Sequence, residues 1–151
     1  MPRSSPYQAQ FLYMEAARRI MQIVRLALLA CIVLYAIIVM LLPTSAIPNM
    51  LVFKVATVLA VALVITVFAF RHTMVQRALA ALALQPEDRL AISRWRTAYL
   101  VLYLLSEVIA TYGVILHFMG FNLEQVSLFF VTGLLLILLY APQRPAPAPA
   151  T

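Results

Sequence analysis

The sequence predicts an all-α membrane protein: four transmembrane helices as two hairpins, with an amphipathic cytoplasmic connector between the hairpins. Three observations carry that expectation. Of 151 residues, 65% are hydrophobic and only 11% charged, with a mean hydropathy of +0.99; soluble domains run at roughly 45–50% apolar and 25% charged, so this chain has too little polar surface to cover itself in water. The apolar residues fall into four runs, each close to the roughly 20 residues that a helix needs to cross the hydrocarbon core. Ten of the eleven basic residues lie in segments that such spans would place on one side.

Residues 1–23 form a polar, basic segment read as cytoplasmic. The first span, 24–42, runs from Val24 to Leu42 and stops at Pro43, followed by the short loop PTSAIPN. Its apolar stretch is longer than the roughly 7–15 residues of a leader peptide, so a retained helix is expected. The second span covers 51–70. Lys54 stands about one turn inside it, where a lysine side chain reaches back to the interface.

The connector reads RHTMVQRALAALALQPEDRLAISRWR. Its first part continues the helical pattern, with Met74, Val75, Leu79 and Leu82 on one side. Gln85-Pro86-Glu87-Asp88 is a break and restart, Pro86 suiting a first helical turn with the acids after it. The third span, 97–118, begins after Arg94-Trp95-Arg96. Gly120 is placed for a left-handed C-terminal cap. Asn122 is the expected N-cap of the fourth span, 123–140, with Gln125 completing a capping box and Glu124 in the first turn facing the positive end of the helix dipole. Residues 141–151 carry four prolines in the last ten positions and are expected as an extended Pro/Ala tail.

Orientation follows from charge. Arg3, Arg18, Arg19 and Arg25 precede or enter the first span, Arg71, Arg77, Arg89, Arg94 and Arg96 occupy the connector, and Arg144 follows the last span. The two short loops carry no Lys or Arg. The positive-inside rule then puts both termini and the connector in the cytoplasm, across a bacterial inner membrane.

The functional candidate is Glu107, ten residues before His117 and so about 15 Å from that end of its helix. An acid at such depth costs roughly 2.5–3.5 kcal/mol and must face protein or water rather than lipid. Arg96, Tyr99, Tyr103, Glu107 and Thr111 recur at helical spacing and form a drifting polar stripe, with Leu102 and Ile109 on the side left to lipid or apolar packing. A neutral carboxyl is expected to hydrogen-bond a polar group on another span; Tyr35, Thr57, Thr66, Ser127 and Thr132 are the candidates. The competing role is a proton or cation site.

Glu107 followed by Tyr112-Gly113 resembles the ion-binding helix of rotary ATPase proteolipid subunits over about ten residues. The chain departs from that family in having three glycines in all, loops without basic residues, and the acid in the first rather than the second helix of its hairpin, so membership does not follow. The wider pattern of Trp95-Arg96, Glu107, Tyr112-Gly113 and Pro142-x-Arg144-Pro145 is similar to small bacterial four-helix membrane proteins, a resemblance that carries no activity with it.

Enzyme chemistry finds no support in the sequence. Ser106 has no histidine at its depth, and there are no paired carboxylates, phosphate loop or Cys/His metal spacing. The lone Cys31 cannot form a disulfide within the chain, and His72 and His117 are far apart. No cofactor or metal is expected. The expected partners are membrane lipids and either a second copy of the chain or a larger membrane complex; the basic connector suits anionic headgroups and needs no nucleic acid. The expected role is therefore a non-catalytic accessory or structural subunit.

Two outcomes test this reading. Reporter fusions at Ala46 and Gly120 read as periplasmic and those at Ala80 and Ala148 as cytoplasmic; a periplasmic signal at Ala80 refutes the four-span topology. Deleting residues 145–151, which offer almost nothing to bury, leaves membrane insertion unchanged.

Overall fold

The computed structural model describes residues 6–44, 46–84 and 88–142, with side chains from residue 14 onward. The expected Pro/Ala tail beyond Pro142 and the Gln85–Glu87 break lie outside the described residues. Those described form four continuous helices: α1 (Pro6–Leu41), α2 (Met50–Leu84), α3 (Arg89–Phe118) and α4 (Leu123–Leu139).

Local chemistry sets the ends. In α1 the last helical bond runs from Leu42 N–H to Ile38 C=O at 3.0 Å, and Pro43, which has no N–H, cannot extend it. Asn49 caps α2, its side-chain oxygen accepting from Leu51 N–H at 3.0 Å. Asp88 caps α3 in the same way, accepting from Leu90 N–H at 2.8 Å. Asp88 therefore stands just outside the helix and not in its first turn, because an extended residue can turn its carboxylate onto the free N–H groups.

The α3–α4 junction follows expectation. Gly120 has φ +94°. Phe121 N–H donates to Leu116 C=O and Gly120 N–H to His117 C=O, the two bonds of a Schellman turn. A Cβ on Gly120 would collide with the Ala46 carbonyl, so the turn lies directly on the α1–α2 loop. Asn122 and Gln125 then make the capping box, with bonds of 3.0 and 3.3 Å.

Three of the four helices run further than the expected spans, α1 and α3 at their starts and α2 at its end, whereas α4 ends at Leu139, one residue short. The stretch read as a connector is no separate element: its first part is the end of α2 and its last part the start of α3. Within α2, Arg71–Val75 is a π-helical turn in which Gln76 N–H reaches back to Arg71 C=O. The extra residue rotates the remainder of α2, and the Gln76–Leu84 part packs onto α3, burying Val75, Ala78 and Leu82 in the same core as Ala91, Ile92 and Trp95.

Three helical segments, Met14–Leu41, Met50–Leu84 and Arg89–Phe118, are long and apolar enough to cross a membrane, and Leu123–Leu139 is a shorter apolar helix of 17 residues. At 1.5 Å per residue that last helix is about 25 Å long.

α3 organises the bundle. It packs most extensively on α4 and also contacts α1 and α2, whereas α1 and α2 hardly touch each other. Its inward face buries Trp95, Tyr103, Leu102, Ile109 and Ala110. The α3–α4 approach is close because Gly133 has no side chain: a Cβ there would stand 2.8 Å from the Ser106 carbonyl oxygen and 3.1 Å from the Ala110 methyl. Small residues at such a crossing let the backbones come together.

Gly133→Val should therefore lower the thermal stability of the detergent-solubilised chain by about 1–3 kcal/mol, the usual cost of overpacking. A variant as stable as wild type would mean that the crossing tolerates separation.

Candidate functional site

The five residues of the expected polar stripe all lie on α3, but they do not share one neighbour. A helix turns about 400° in four residues, so each step of four drifts about 40° around the axis. Tyr99 and Tyr103 are buried, and the rings of Trp95, Tyr99 and Tyr103 follow one another with centroids 5.2 and 6.1 Å apart. The Tyr103 hydroxyl donates to the Tyr140 carbonyl at 2.8 Å, reaching the end of α4. Glu107 and Thr111 instead face α1, where the Tyr35 hydroxyl approaches the Glu107 carboxyl and the Thr111 hydroxyl. Arg96, partly buried, makes no hydrogen bond with a described residue.

Of the candidate partners for Glu107, Tyr35 is the one brought to it. Thr57, Thr66 and Ser127 donate to carbonyls of their own helices, Phe53, Ala62 and Glu124. Thr111 likewise donates to the backbone carbonyl of Glu107 at 3.0 Å, and Ser106 to Leu102 C=O at 2.9 Å. Glu107 is half-buried, and its Oε2 is shielded with no hydrogen-bond partner among the described residues. Leu102 and Ile109, on the other side of the helix, are buried in the core.

A second polar cluster, which sequence reasoning missed, closes the C-terminal end of α4. The last carbonyls of a helix lack intrahelical donors, and α4 has no basic residue in its last turn. Arg25 of α1 supplies the donors from 112 residues away: Nε to Ile137 C=O at 3.1 Å and Nη2 to Leu138 C=O at 2.8 Å. Arg71 of α2 stands over the Tyr140 ring, 4.6 Å from its centroid. Arg25 interrupts the start of an apolar run, a sign that it has a partner, but the pattern does not say which helix end it meets.

The opposite end is tied by His117, whose Nε2 lies 2.8 Å from Leu42 C=O and whose Nδ1 lies 3.2 Å from Phe121 C=O. Phe53 of α2 packs between Phe121 and Phe129 there, with centroids at 5.1 and 6.2 Å. Leu42 at the end of α1, the start of α2 and the α3–α4 turn thus share one end, while Arg25, Arg71 and Tyr140 share the other. Among the described residues no group of three or more His, Cys, Asp or Glu side chains is placed to hold a metal ion.

No protein-family model matches this chain, and neither does any curated protein or solved structure. The function has to be argued from the geometry.

The Glu107–Tyr35 contact is testable by a double-mutant cycle. Tyr35→Phe and Glu107→Gln should couple by about 0.5–1.5 kcal/mol in thermal unfolding, the range for polar contacts between membrane helices. Strictly additive effects would show that the two groups do not interact.

Proposed function

We propose that the chain is a four-span integral protein of a bacterial inner membrane, with both termini and the Arg71–Arg96 stretch on the cytoplasmic side, serving as a non-catalytic accessory or structural subunit of a membrane complex. One observation carries the reading: the outer faces of α1 and α2 are rows of exposed large apolar side chains. Ile23, Leu26, Val33, Leu34 and Ile37 stand out from α1, and Leu51, Val55, Val58, Val61 and Ile65 from α2. Water does not tolerate apolar faces of that extent on a monomer; lipid or a neighbouring subunit covers them.

The arrangement of Glu107 supports a structural role for the acid. Its carboxyl lies near the Tyr35 hydroxyl, close enough for α3 and the less buried α1 to interact there. A cavity beside Tyr140 and one between α2 and α3 are lined by residues other than Glu107.

A second reading rests on the shielded Oε2 of Glu107: a carboxyl with spare hydrogen-bonding capacity inside a membrane bundle is a candidate proton or cation site of a transport component.

The two readings separate at one residue. On the structural reading Glu107→Gln, which still hydrogen-bonds, leaves the amount and native size of the gently extracted complex within about twofold of wild type, whereas Glu107→Leu strips the contact and lowers both. On the transport reading Glu107→Gln abolishes proton or cation flux in proteoliposomes although assembly is intact.

A further inference from the structure

A groove of about 540 Å³ opens between the Gln76–Leu84 part of α2 and the first turns of α3. Its wall changes character along its length. Phe70, where the apolar run of α2 ends, and Met74 line one part; Arg77 follows seven residues after Phe70, about 10 Å further along the helix. From α3, Arg94 joins Arg77, with the hydroxyls of Ser93 and Thr97 beside it. Both arginines are exposed, and neither guanidinium bonds to a described residue. No described residue lining the groove is an acid.

That sequence of surfaces matches an amphiphile with an anionic head. Two guanidiniums and two hydroxyls offer donors to phosphate oxygens, and the adjoining aromatic and thioether side chains offer an apolar track. A free anion would leave that track uncovered, and two exposed guanidiniums favour a head of net negative charge over a zwitterionic one.

We propose that this groove holds one anionic phospholipid, its phosphate between Arg77 and Arg94 and an acyl chain along Met74 and Phe70. The proposal rests on the membrane reading above, which sets Phe70 at the edge of the hydrocarbon and Arg77 and Arg94 at the level of the headgroups. It goes beyond general attraction to a charged surface by assigning one site and two arginines out of the eleven basic residues of the chain.

The test uses the full chain in neutral detergent, with native mass spectrometry and thermal unfolding in the presence of phosphatidylglycerol, phosphatidylcholine or inorganic phosphate. Phosphatidylglycerol should be retained at one per chain and preferred over phosphatidylcholine about tenfold or more, from about two basic contacts; inorganic phosphate should neither bind nor stabilise. The Arg77→Gln/Arg94→Gln pair should lose that preference, and Arg89→Gln, exposed but outside the groove, should keep it. Ala81→Trp, which fills the groove and leaves both arginines, should also release the lipid. Equal retention of the two lipids, a preference untouched by the double variant, stabilisation by phosphate alone, or chains that pair through the groove without lipid would each overturn the proposal. Alkaline carbonate washing of membranes separates the two levels: a chain that resists extraction yet shows no lipid preference overturns the lipid site alone, whereas release of the chain overturns the membrane reading and the site with it.

Discussion

The close crossing of α3 and α4 is the constraint on which the other contacts depend. With Gly133 against the Ser106 carbonyl and the Ala110 methyl, the two backbones come nearer than any side chain at that position would permit, and Gly113 admits the Phe130 ring on the same seam, 3.0 Å from where its Cβ would be. Dispersion contacts accumulate only when surfaces meet without gaps, and in a lipid setting they carry helix association that the hydrophobic effect does not. Widening this seam would also shift Tyr140 away from Tyr103, and with it the last turn of α4 that Arg25 holds.

The outer helices attach at their ends as well as along their sides. Arg25 donates to the closing carbonyls of α4, Arg71 lies on Tyr140, and His117 reaches Leu42. Each of these polar side chains meets a group that would otherwise lack a partner, either a helix-end carbonyl or an aromatic face. Between the ends, the Tyr35 hydroxyl of α1 lies near the Glu107 carboxyl of α3. The bundle is thus apolar along its length and fastened by directional contacts at a few heights.

Features governed by neighbours in the chain were legible in the sequence. Asn122 with Gln125, Gly120 and Pro43 act through bonds within a few residues, and the structure places each as that chemistry requires. The helical pattern of Val75 and Leu82 likewise marked the continuation of α2 past its apolar run. What one-dimensional pattern could not convey is which helix meets which. Two stretches of similar length, Arg25 to Arg71 and Arg96 to Arg144, imply two hairpins, yet α1 and α2 pack on α3 and hardly touch each other. The stripe from Tyr99 to Thr111 was visible as a stripe, but its division between Tyr140 and Tyr35 depends on where two other helices stand. Arg25 looked like a flanking charge because its partners are carbonyls, which every residue carries and no sequence pattern distinguishes.

The reliance of α1 and α2 on a later helix has a consequence for biosynthesis. On the membrane reading proposed above, a ribosome would deliver α1 and α2 to the bilayer before α3, the element they pack against, had been made, so each would have to remain there unaided. Their composition suits that interval: α1 and α2 are the most hydropathic of the long helices and α3 the least. Glu107, an acid costly to place in lipid, is carried by the helix that would arrive after Tyr35 of α1. On that reading the order of elements along the chain would spare the acid a period of solitary exposure, and moving the same stretch to the N-terminus would forfeit that protection.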